Sequence, residues 1–222
     1  MVQCRQNEKR KAAYAMTMQD MSLENFAKAL ASDAPAPGGG GASAAAAALG
    51  AALAGMVCSF TVGKKKYAAV ENDIRAIQTE AEMLREKLLA LVQADADAFE
   101  PLSRAYAMEK NDPARDEVME KCLHAAAEVP MEILRLSCRA IELHEQLLEK
   151  GSAMLVSDVG TGAVLCWSAM YGAALNVRVN TKLMKDGAYA SALNTEAAEL
   201  MEKYWKIADR VYESVFSRFE RE

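Results

Sequence analysis

Residues 44–62 carry no charged side chain and consist mostly of alanine and glycine, and this run limits what the chain can fold into more than any other feature. Two prolines and four glycines precede it within residues 35–41, and three lysines follow at residues 64–66. Proline and glycine end one element before the run, so Ser43 is the candidate N-cap of a helix that continues through it. We expect another helix to pack closely on this one, because small residues recur every three or four positions: Ala45, Ala48, Ala52 and Gly55.

Four consecutive glycines, Gly38, Gly39, Gly40 and Gly41, allow two interpretations. The first is a linker that leads into a core helix, because glycine-rich turns are weak motifs on their own. The second is a ligand site, since a backbone without side chains can be approached closely and the free N–H groups of the next helical turn favour an anion. The spacing fits neither a Walker loop nor G-x-G-x-x-G, and no predicted strand precedes it, which argues against a nucleotide-binding fold.

Composition and charge favour a soluble helical protein. Hydrophobic residues make up 52% of the 222 residues but aromatic residues only 6%, a profile typical of closely packed helices rather than a β-rich core. The net charge of −5 argues against non-specific nucleic-acid binding. The N-terminus lacks the apolar stretch of a signal peptide, and the uncharged run gains little from lipid because it is mostly alanine and glycine. We therefore expect a cytoplasmic protein with no membrane partner.

The sequence shows no metal-binding or redox motif. His124 and His144 lie far apart in sequence and have no partners at metal-ligand spacing, so we interpret both as structural or solvated and predict no metal site. The cysteines are scattered, as is typical of free thiols in a reducing cytosol: Cys4, Cys58, Cys122, Cys138 and Cys166.

Hydrophobic periodicity predicts an all-α, single-domain bundle of seven or eight helices over residues 21–222, two of them rich in small residues and buried. Residues 1–20 are predicted to be a polar tail. Caps and prolines set the boundaries. A short helix follows Ser22 and ends before Pro35, and a long helix over residues 68–99 is ended or kinked by Pro101. Helices over 113–129 and 131–150 are separated by Pro130, a small-residue helix is capped by Ser157-Asp158, and a last helix covers 194–219.

Two aspartates, Asp95 and Asp97, interrupt the apolar pattern of the long helix. Asp95 lies where its heptad-like stripe calls for a leucine, and neither aspartate has Lys or Arg three or four residues away. A buried carboxyl without such a partner has a raised pKa, which suits a general acid or base. The alternative is an ion pair across the bundle with Arg104, Arg178 or a lysine.

A polar seam runs along the second small-residue helix at four-residue spacing and consists of Ser168, Gly172, Asn176 and Asn180. Buried amides need hydrogen-bond partners. Those partners are either a neighbouring helix or a ligand with a heteroaromatic donor and acceptor edge, and the sequence leaves both open.

Four segments, followed by Asp186, resemble one family in their order and spacing: PAPGGGGASAAAAALGAALAGMV, TVGKKKY, LVQADADAF and SDVGTGAVLCWSAMYGAALNVRVN. They resemble the formiminotetrahydrofolate cyclodeaminase and methenyltetrahydrofolate cyclohydrolase family, which includes the cyclodeaminase half of formiminotransferase-cyclodeaminase. The resemblance covers about residues 22–216. It implies an all-α fold, usually dimeric or larger, that acts on reduced folates without a metal or a further cofactor.

The resemblance also implies a set of site residues. The family's aspartate in the DADAF-type motif corresponds to Asp97, which we predict to be catalytic, with Asp95 as the supporting carboxylate. The Gly-Lys element corresponds to Gly63-Lys64, the N-V-x-x-N element to Asn176 and Asn180, and the acidic cap to Asp158. The predicted substrate-binding residues are Gly38, Gly39, Gly40, Gly41, Ser43, Lys64, Lys110, Asp158, Asn176 and Asn180.

Three departures from the family pattern affect the substrate prediction more than the fold. The chain has Met108-Glu109-Lys110 where the family usually has Leu-Pro-Lys, and Gly151-Ser152 where it often has Gly-Asn. The glycine run is one residue longer than the common Pro-Gly-Gly-Gly-Ser.

The expected reaction is the cyclisation of 5-formiminotetrahydrofolate to 5,10-methenyltetrahydrofolate with release of ammonia. Amine expulsion needs one positioned acid, and ring closure is mostly a matter of holding the substrate. We expect Asn176 and Asn180 at the pterin edge, and the lysines with the glycine run at the glutamate carboxylates, which can be part of a polyglutamate tail. The alternatives are a methenyltetrahydrofolate cyclohydrolase, with Asp97 as the base, and a non-catalytic folate-binding helical oligomer. The uncharged helix faces favour a homodimer.

Overall fold

The computed structural model describes residues 17–220, which form six α-helices and no β-strand. The all-α class is therefore confirmed, while the predicted count of seven or eight helices is too high. Short 3₁₀ helices occupy Met18–Asp20, Lys65–Val70, Ala153–Leu155 and Ser217–Phe219. The α-helices are α1 (Leu23–Leu30), α2 (Gly39–Ser59), α3 (Glu71–Tyr106), α4 (Arg115–Lys150), α5 (Val156–Thr181) and α6 (Gly187–Phe216).

Helix α2 lies at the centre of the bundle and packs against α3, α4 and α5. Gly50 shows how closely α5 approaches, because a β-carbon at this position would lie 2.3 Å from Sγ of Cys166 and 2.9 Å from the carbonyl oxygen of Gly162. Close packing is thus observed, but not on the predicted face: Ala45, Ala48 and Ala52 line an open groove, and the space around Gly55 is open. The fully buried alanines of α2 include Ala44, Ala47, Ala51 and Ala54.

Helix α4 runs without a break from Arg115 to Lys150 and contains Pro130, so the predicted separation into two helices is wrong. A proline cannot donate a hydrogen bond to the carbonyl four residues earlier, which here belongs to Ala126. Nδ2 of Asn180 on α5 donates to that carbonyl oxygen at 2.7 Å. A side chain from the neighbouring helix thus replaces the missing backbone donor. Helix α3 likewise continues past Pro101 to Tyr106.

Two helix starts also differ from the sequence-based expectation. Helix α2 begins at Gly39 with Gly38 as its N-cap, and Ser43 lies inside the helix, where its Oγ donates to the carbonyl oxygen of Gly39 at 2.8 Å. Helix α6 begins at Gly187 rather than near residue 194, because the side chain of Asp186 accepts a hydrogen bond from the N–H of Tyr189. The predicted cap of α1 is confirmed, since Ser22 Oγ accepts from the N–H of Asn25.

The chain contacts the bundle from Met18 onward. The backbone N–H of Met18 donates to Oε1 of Gln93 on α3 at 2.9 Å, and the Met18 side chain packs against the core. The end of the predicted polar tail, residues 17–20, is therefore attached to the domain. The rest of that tail, residues 1–16 with Cys4, lies outside the described residues.

Two helical segments, Gly39–Ser59 and Ala153–Thr181, are long and apolar enough to cross a membrane when judged by length and composition alone. Within the bundle, 56% of the apolar window of the first and 44% of that of the second are buried. The core helices of soluble proteins pass the same test, so this finding is weak evidence for a membrane span.

Candidate active site

The glycine run meets the polar seam at one end of the bundle, because α2 and α5 run antiparallel. A β-carbon at Gly39 would lie 3.2 Å from Nδ2 of Asn176, and one at Gly172 would lie 2.4 Å from Oγ of Ser43. These contacts bring together two features that the sequence analysis treated separately. They also explain why position 172 is a glycine, since a larger residue would displace the Ser43 hydroxyl.

Asp95 reaches the same glycines from α3. Its Oδ2 accepts a hydrogen bond from the N–H of Gly41 at 2.9 Å, and a β-carbon at Gly40 would lie only 2.1 Å from Oδ1. Only glycine at position 40 therefore leaves room for this carboxyl group. Burial raises the pKa of Asp95, and the hydrogen bond from Gly41 opposes that rise. A partly buried carboxyl group with a raised pKa, at the start of a helix, can serve as a general acid or base.

Asp97 points away from the glycine run and is exposed. Its Oδ1 accepts a hydrogen bond from Nε2 of Gln93 at 2.7 Å, and Oε1 of the same glutamine accepts from the N–H of Met18. Asp97 thus orients the glutamine that holds the N-terminal segment on α3. Among residues 17–220, neither Asp95 nor Asp97 forms the ion pair across the bundle that was the alternative interpretation. Arg104 pairs with Glu100 instead.

The two asparagines of the seam use their amide N–H groups inside the protein. Nδ2 of Asn176 donates to the carbonyl oxygen of Gly172 at 2.8 Å, and Nδ2 of Asn180 donates to Ala126 and, at 3.1 Å, to Asn176. The predicted hydrogen bond between helices is therefore confirmed for Asn180. Neither amide oxygen receives a hydrogen bond from the described part of the chain, so these oxygens are free to accept one from a ligand.

The remaining predicted binding residues lie elsewhere. Lys64 follows the C-terminal end of α2, and Asp158 lies in the first turn of α5, so both are at the far end of the α2–α5 pair from Gly39 and Asn176. Helix α2 has 21 residues and is therefore about 30 Å long. Lys110 is exposed in the turn that follows α3. Within one chain, the predicted site residues form separate groups.

The histidines play structural parts, as the sequence analysis expected. His144 is fully buried, Nε2 lies 3.0 Å from the carbonyl oxygen of Gly50, and burial lowers its pKa to about 4. The ring of His124 stacks on Tyr189, with centroids 4.1 Å apart. Across residues 17–220, no three His, Cys, Asp or Glu side chains form a group that could hold a metal ion.

Sequence reasoning missed Gln93 and the contact between Asp95 and the glycines. Gln93 could have been found, because it lies four residues before Asp97 and such pairs are neighbours on a helix surface. The contact between Asp95 and Gly41 joins residues 54 positions apart. Periodicity shows which face of a helix is buried, but it does not show which residue of another helix meets that face.

Comparisons with known proteins agree with this architecture. A family model described as formiminotransferase-cyclodeaminase matches residues 22–199. The crystal structure of a formiminotetrahydrofolate cyclodeaminase from Thermotoga maritima has a TM-score of 0.76 with this chain at 31% identity, and the match covers 88% of this chain and 93% of that one.

Two curated relatives differ in length. A methenyltetrahydrofolate cyclohydrolase from Methylorubrum extorquens is 38% identical over 201 residues, which cover 89% of this chain and 97% of the relative. The formimidoyltransferase-cyclodeaminase of Dictyostelium discoideum is 30% identical over 200 residues, which cover 90% of this chain but 37% of the relative. The chain thus matches nearly all of the first protein and little more than a third of the second.

Proposed function

The chain belongs to the formiminotransferase-cyclodeaminase family, and on that premise we propose that it is a folate one-carbon enzyme that cyclises 5-formiminotetrahydrofolate to 5,10-methenyltetrahydrofolate with release of ammonia. The observation that carries the proposal is the partly buried Asp95 carboxyl group held against Gly40 and Gly41. This reaction requires one positioned proton donor, and the site offers a carboxyl group prepared for that role.

In this reaction the aniline nitrogen of the folate attacks the formimino carbon and forms a C–N bond, while the C=N bond becomes single. The resulting aminal expels its amino group as ammonia, which requires a proton on that nitrogen. Because burial raises the pKa of Asp95, more of its protonated form is present near neutral pH. We assign the proton delivery to Asp95, whose Oδ2 is anchored on Gly41.

In this proposal Asp97 is a positioning residue and Asp95 is the catalytic carboxyl group, which reverses the roles predicted for the two aspartates. Its exposure and its hydrogen bond to Gln93 support a role in holding the segment at Met18. The substrate-binding role of Gly38, Gly39 and Gly40 remains a prediction: the space around Gly38 is open, whereas Asn176 and Asp95 lie against Gly39 and Gly40. The free amide oxygens of Asn176 and Asn180 are suited to accept hydrogen bonds from N–H groups of the pterin edge.

The second candidate is the methenyltetrahydrofolate cyclohydrolase reaction, favoured by the 38% identity and matching length of the Methylorubrum extorquens relative. Water then attacks the methenyl carbon, and a C–N bond of the ring breaks. The same carboxyl group takes a proton from the water and returns one to the departing ring nitrogen. Both reactions involve the methenyl compound, so one site can be tested for both.

We further propose a cytoplasmic homodimer that needs no cofactor beyond the reduced folate. Lys64 and Asp158 lie at the far end of the α2–α5 pair from Asp95, so only a second chain could bring such residues into the same pocket. The exposed apolar stripe of α5 supports such an interface.

The first experiment follows the ultraviolet absorbance of the methenyl product during turnover of freshly prepared 5-formiminotetrahydrofolate. The same sample is then tested for methenyl hydrolysis above the buffer rate. Methenyl formation supports the cyclodeaminase, and hydrolysis alone supports the cyclohydrolase. Asp95→Asn should lower kcat at least a hundredfold with the fold intact, whereas Asp97→Asn should lower it far less.

Two outcomes would contradict parts of the proposal. If Asp97→Asn abolished turnover and Asp95→Asn did not, Asp97 rather than Asp95 would be the catalytic carboxyl group. If tetrahydrofolate raised the melting temperature at saturating concentration but neither reaction occurred, the chain would be a non-catalytic folate-binding protein.

A further inference from the structure

An apolar groove runs along the outer side of α2 and α3, beneath the segment that contains Met18 and Phe26, and has a volume of about 340 Å³. On α2 it is lined by Ala45, Ala48 and Ala52, which form its floor, and by the exposed Leu49. Small side chains leave a flat surface, and a volume of this size lies within the range of small-molecule sites. The groove is thus able to hold a planar apolar group.

One end of the groove lies near Asp95, which does not itself line it. Val92 lines the groove, and its carbonyl oxygen would lie 3.6 Å from a β-carbon at Gly41, the residue whose N–H donates to Asp95. Gly41, Ala45, Ala48 and Ala52 follow at helical spacing on one face of α2. A ligand whose reacting group meets Asp95 would therefore extend past Val92 to enter the groove.

The other end carries a cation. Of the described residues that line the groove, Arg85 alone is charged. It precedes Asp95 by ten residues on the same helix, a distance of about 15 Å along the axis. Ala52, which lines the groove with it, lies about 16 Å from Gly41 along α2. The groove therefore leads from the neighbourhood of Asp95 to a guanidinium group along an apolar surface.

We propose that this groove binds the aminobenzoyl-glutamate part of the folate, with the aromatic ring over the alanines of α2 and a glutamate carboxylate on Arg85. The inference rests on the proposed function, which supplies a ligand with a reacting centre, an aromatic ring and a carboxylate in this order. Arginine binds carboxylates through two parallel hydrogen bonds, and aromatic rings suit flat apolar surfaces. The glutamate site thereby moves to Arg85 from the lysines of residues 64–66 and the glycine run, where the sequence placed it.

Arg85 is held by an intrahelical partner that the ligand would have to share. Its Nε donates to Glu82 at 3.0 Å, Nη2 also contacts Glu82, and Glu86 lies 4.0 Å away. Glu82 is more than half exposed, and exposed pairs of this kind contribute little to stability. The segment above the groove is held by Gln93 and Asp97 through Met18, so the positioning role of Asp97 serves the same subsite.

The test compares KM and kcat in variants of one ion pair. Arg85→Ala should raise KM for the folate substrate about tenfold with kcat within about twofold, the pattern of lost ground-state binding. Arg85→Lys should recover part of that loss. Glu82→Gln should lower KM, because it releases the guanidinium group for the ligand. Arg75→Ala is the matched control, since Arg75 also pairs with a glutamate on α3, Glu71, but does not line the groove.

A second measurement does not depend on turnover. Titration calorimetry with p-aminobenzoyl-L-glutamate should show binding to the wild type and to Arg75→Ala, and none to Ala45→Leu, in which a larger side chain fills the groove. Unchanged KM in Arg85→Ala and Ala45→Leu, or calorimetric binding that survives both substitutions, would overturn the inference. Arg85-dependent binding in a protein with neither folate reaction would refute the proposed function and leave the groove assignment standing.

Other occupants would be recognised in the same experiments. A change of oligomeric state in Ala45→Leu, with KM unchanged, would assign the groove to a second copy of the chain. That result would reject the folate subsite.

Discussion

Asp95 shows at the residue scale how a carboxyl group proposed to be catalytic lowers the stability of the fold. Its pKa in the folded protein is raised by burial above its value in the unfolded chain. The contribution of such a group to stability is therefore fully present below the unfolded pKa and is lost as the pH rises through the folded one. Asp95→Asn keeps the acceptor for Gly41 and removes the charge, so it should raise the melting temperature at pH 7 and have a smaller effect at pH 4.

Thermal denaturation at the two pH values checks this expectation, with the exposed Asp97→Asn as the control that should change little. A melting temperature for Asp95→Asn that falls more at pH 7 than at pH 4 would show that the charged carboxylate stabilises the start of α2.

His144 should make stability depend on pH in the opposite direction. Burial lowers its pKa from 6.5 to about 4, so the unfolded chain binds more protons between these values. Its stabilising contribution is present above pH 6.5 and is lost as the pH falls toward 4. Urea unfolding of the wild type should lose about 2 kcal/mol between pH 7 and pH 5. In His144→Gln this loss should be much smaller, and an equal loss in both proteins would assign it to other groups.

The residue scale also shows the limit of sequence prediction. Asp95 could be found because it occupies a position where the apolar pattern of α3 calls for leucine. The choice of Asp95 over Asp97 as the proposed proton donor could not be predicted, because it follows from the contact of Asp95 with Gly40 and Gly41 on another helix. Ser43 was expected to cap α2, but Gly38 takes that place, since the helix starts earlier than the pattern of small residues suggests.

At the scale of single helices, two glycines of α2 should respond oppositely to the same substitution. A β-carbon at Gly50 would lie 2.3 Å from Cys166 Sγ and 2.9 Å from the Gly162 carbonyl, whereas the space around Gly55 is open. Gly50→Ala should therefore lower the free energy of unfolding by about 1–3 kcal/mol, and Gly55→Ala should raise it by about 0.5–1 kcal/mol. Denaturant unfolding measures both. Equal effects at the two positions would mean that α2 and α5 are not in close contact.

The proline inside α4 gives a prediction for a pair of residues. Asn180→Ala leaves the Ala126 carbonyl without the donor that replaces the proline N–H, so it should destabilise the protein by about 1–2 kcal/mol. In Pro130→Ala the backbone N–H returns, and the same asparagine substitution should cost less. A double-mutant cycle by urea unfolding measures the coupling. Additive effects would show that Asn180 does not compensate for Pro130.

Several local signals predicted their elements well, although the start of α6 at the Asp186 cap, also a local signal, was missed. The long apolar stripes of α3 and α4 and the Ser22 cap are local signals. The continuity of α4 through Pro130 depends on a side chain 54 residues from the carbonyl it serves, and no rule based on adjacent residues can detect such a partner.

At the scale of the whole molecule, the predicted site residues lie in separate groups because the helices that carry them are long. The glycines, Asp95 and Asn176 gather at one end of α2, while Lys64 and Asp158 lie at the other. The family resemblance predicted the residues but carried no information on their distances. The groove toward Arg85 offers a cation within the same chain, and a second chain offers the other way to assemble a complete site.

The proposed homodimer should form through the exposed apolar stripe of α5, which consists of Tyr171, Leu175 and Val179 and is continued by Leu183 just after the helix. An exposed stripe of this kind on a soluble protein marks an interaction surface, and homodimers with two-fold symmetry are the commonest oligomers. Leu175, 69% exposed, should be replaceable by glutamate without loss of the fold. Sedimentation velocity at micromolar concentration should then show a dimer for the wild type and a monomer for Leu175→Glu. Met83→Glu is the control, because Met83 is exposed on α3, outside this stripe. A wild type that sediments as a monomer, or a Leu175→Glu variant that stays dimeric, would place any second chain elsewhere.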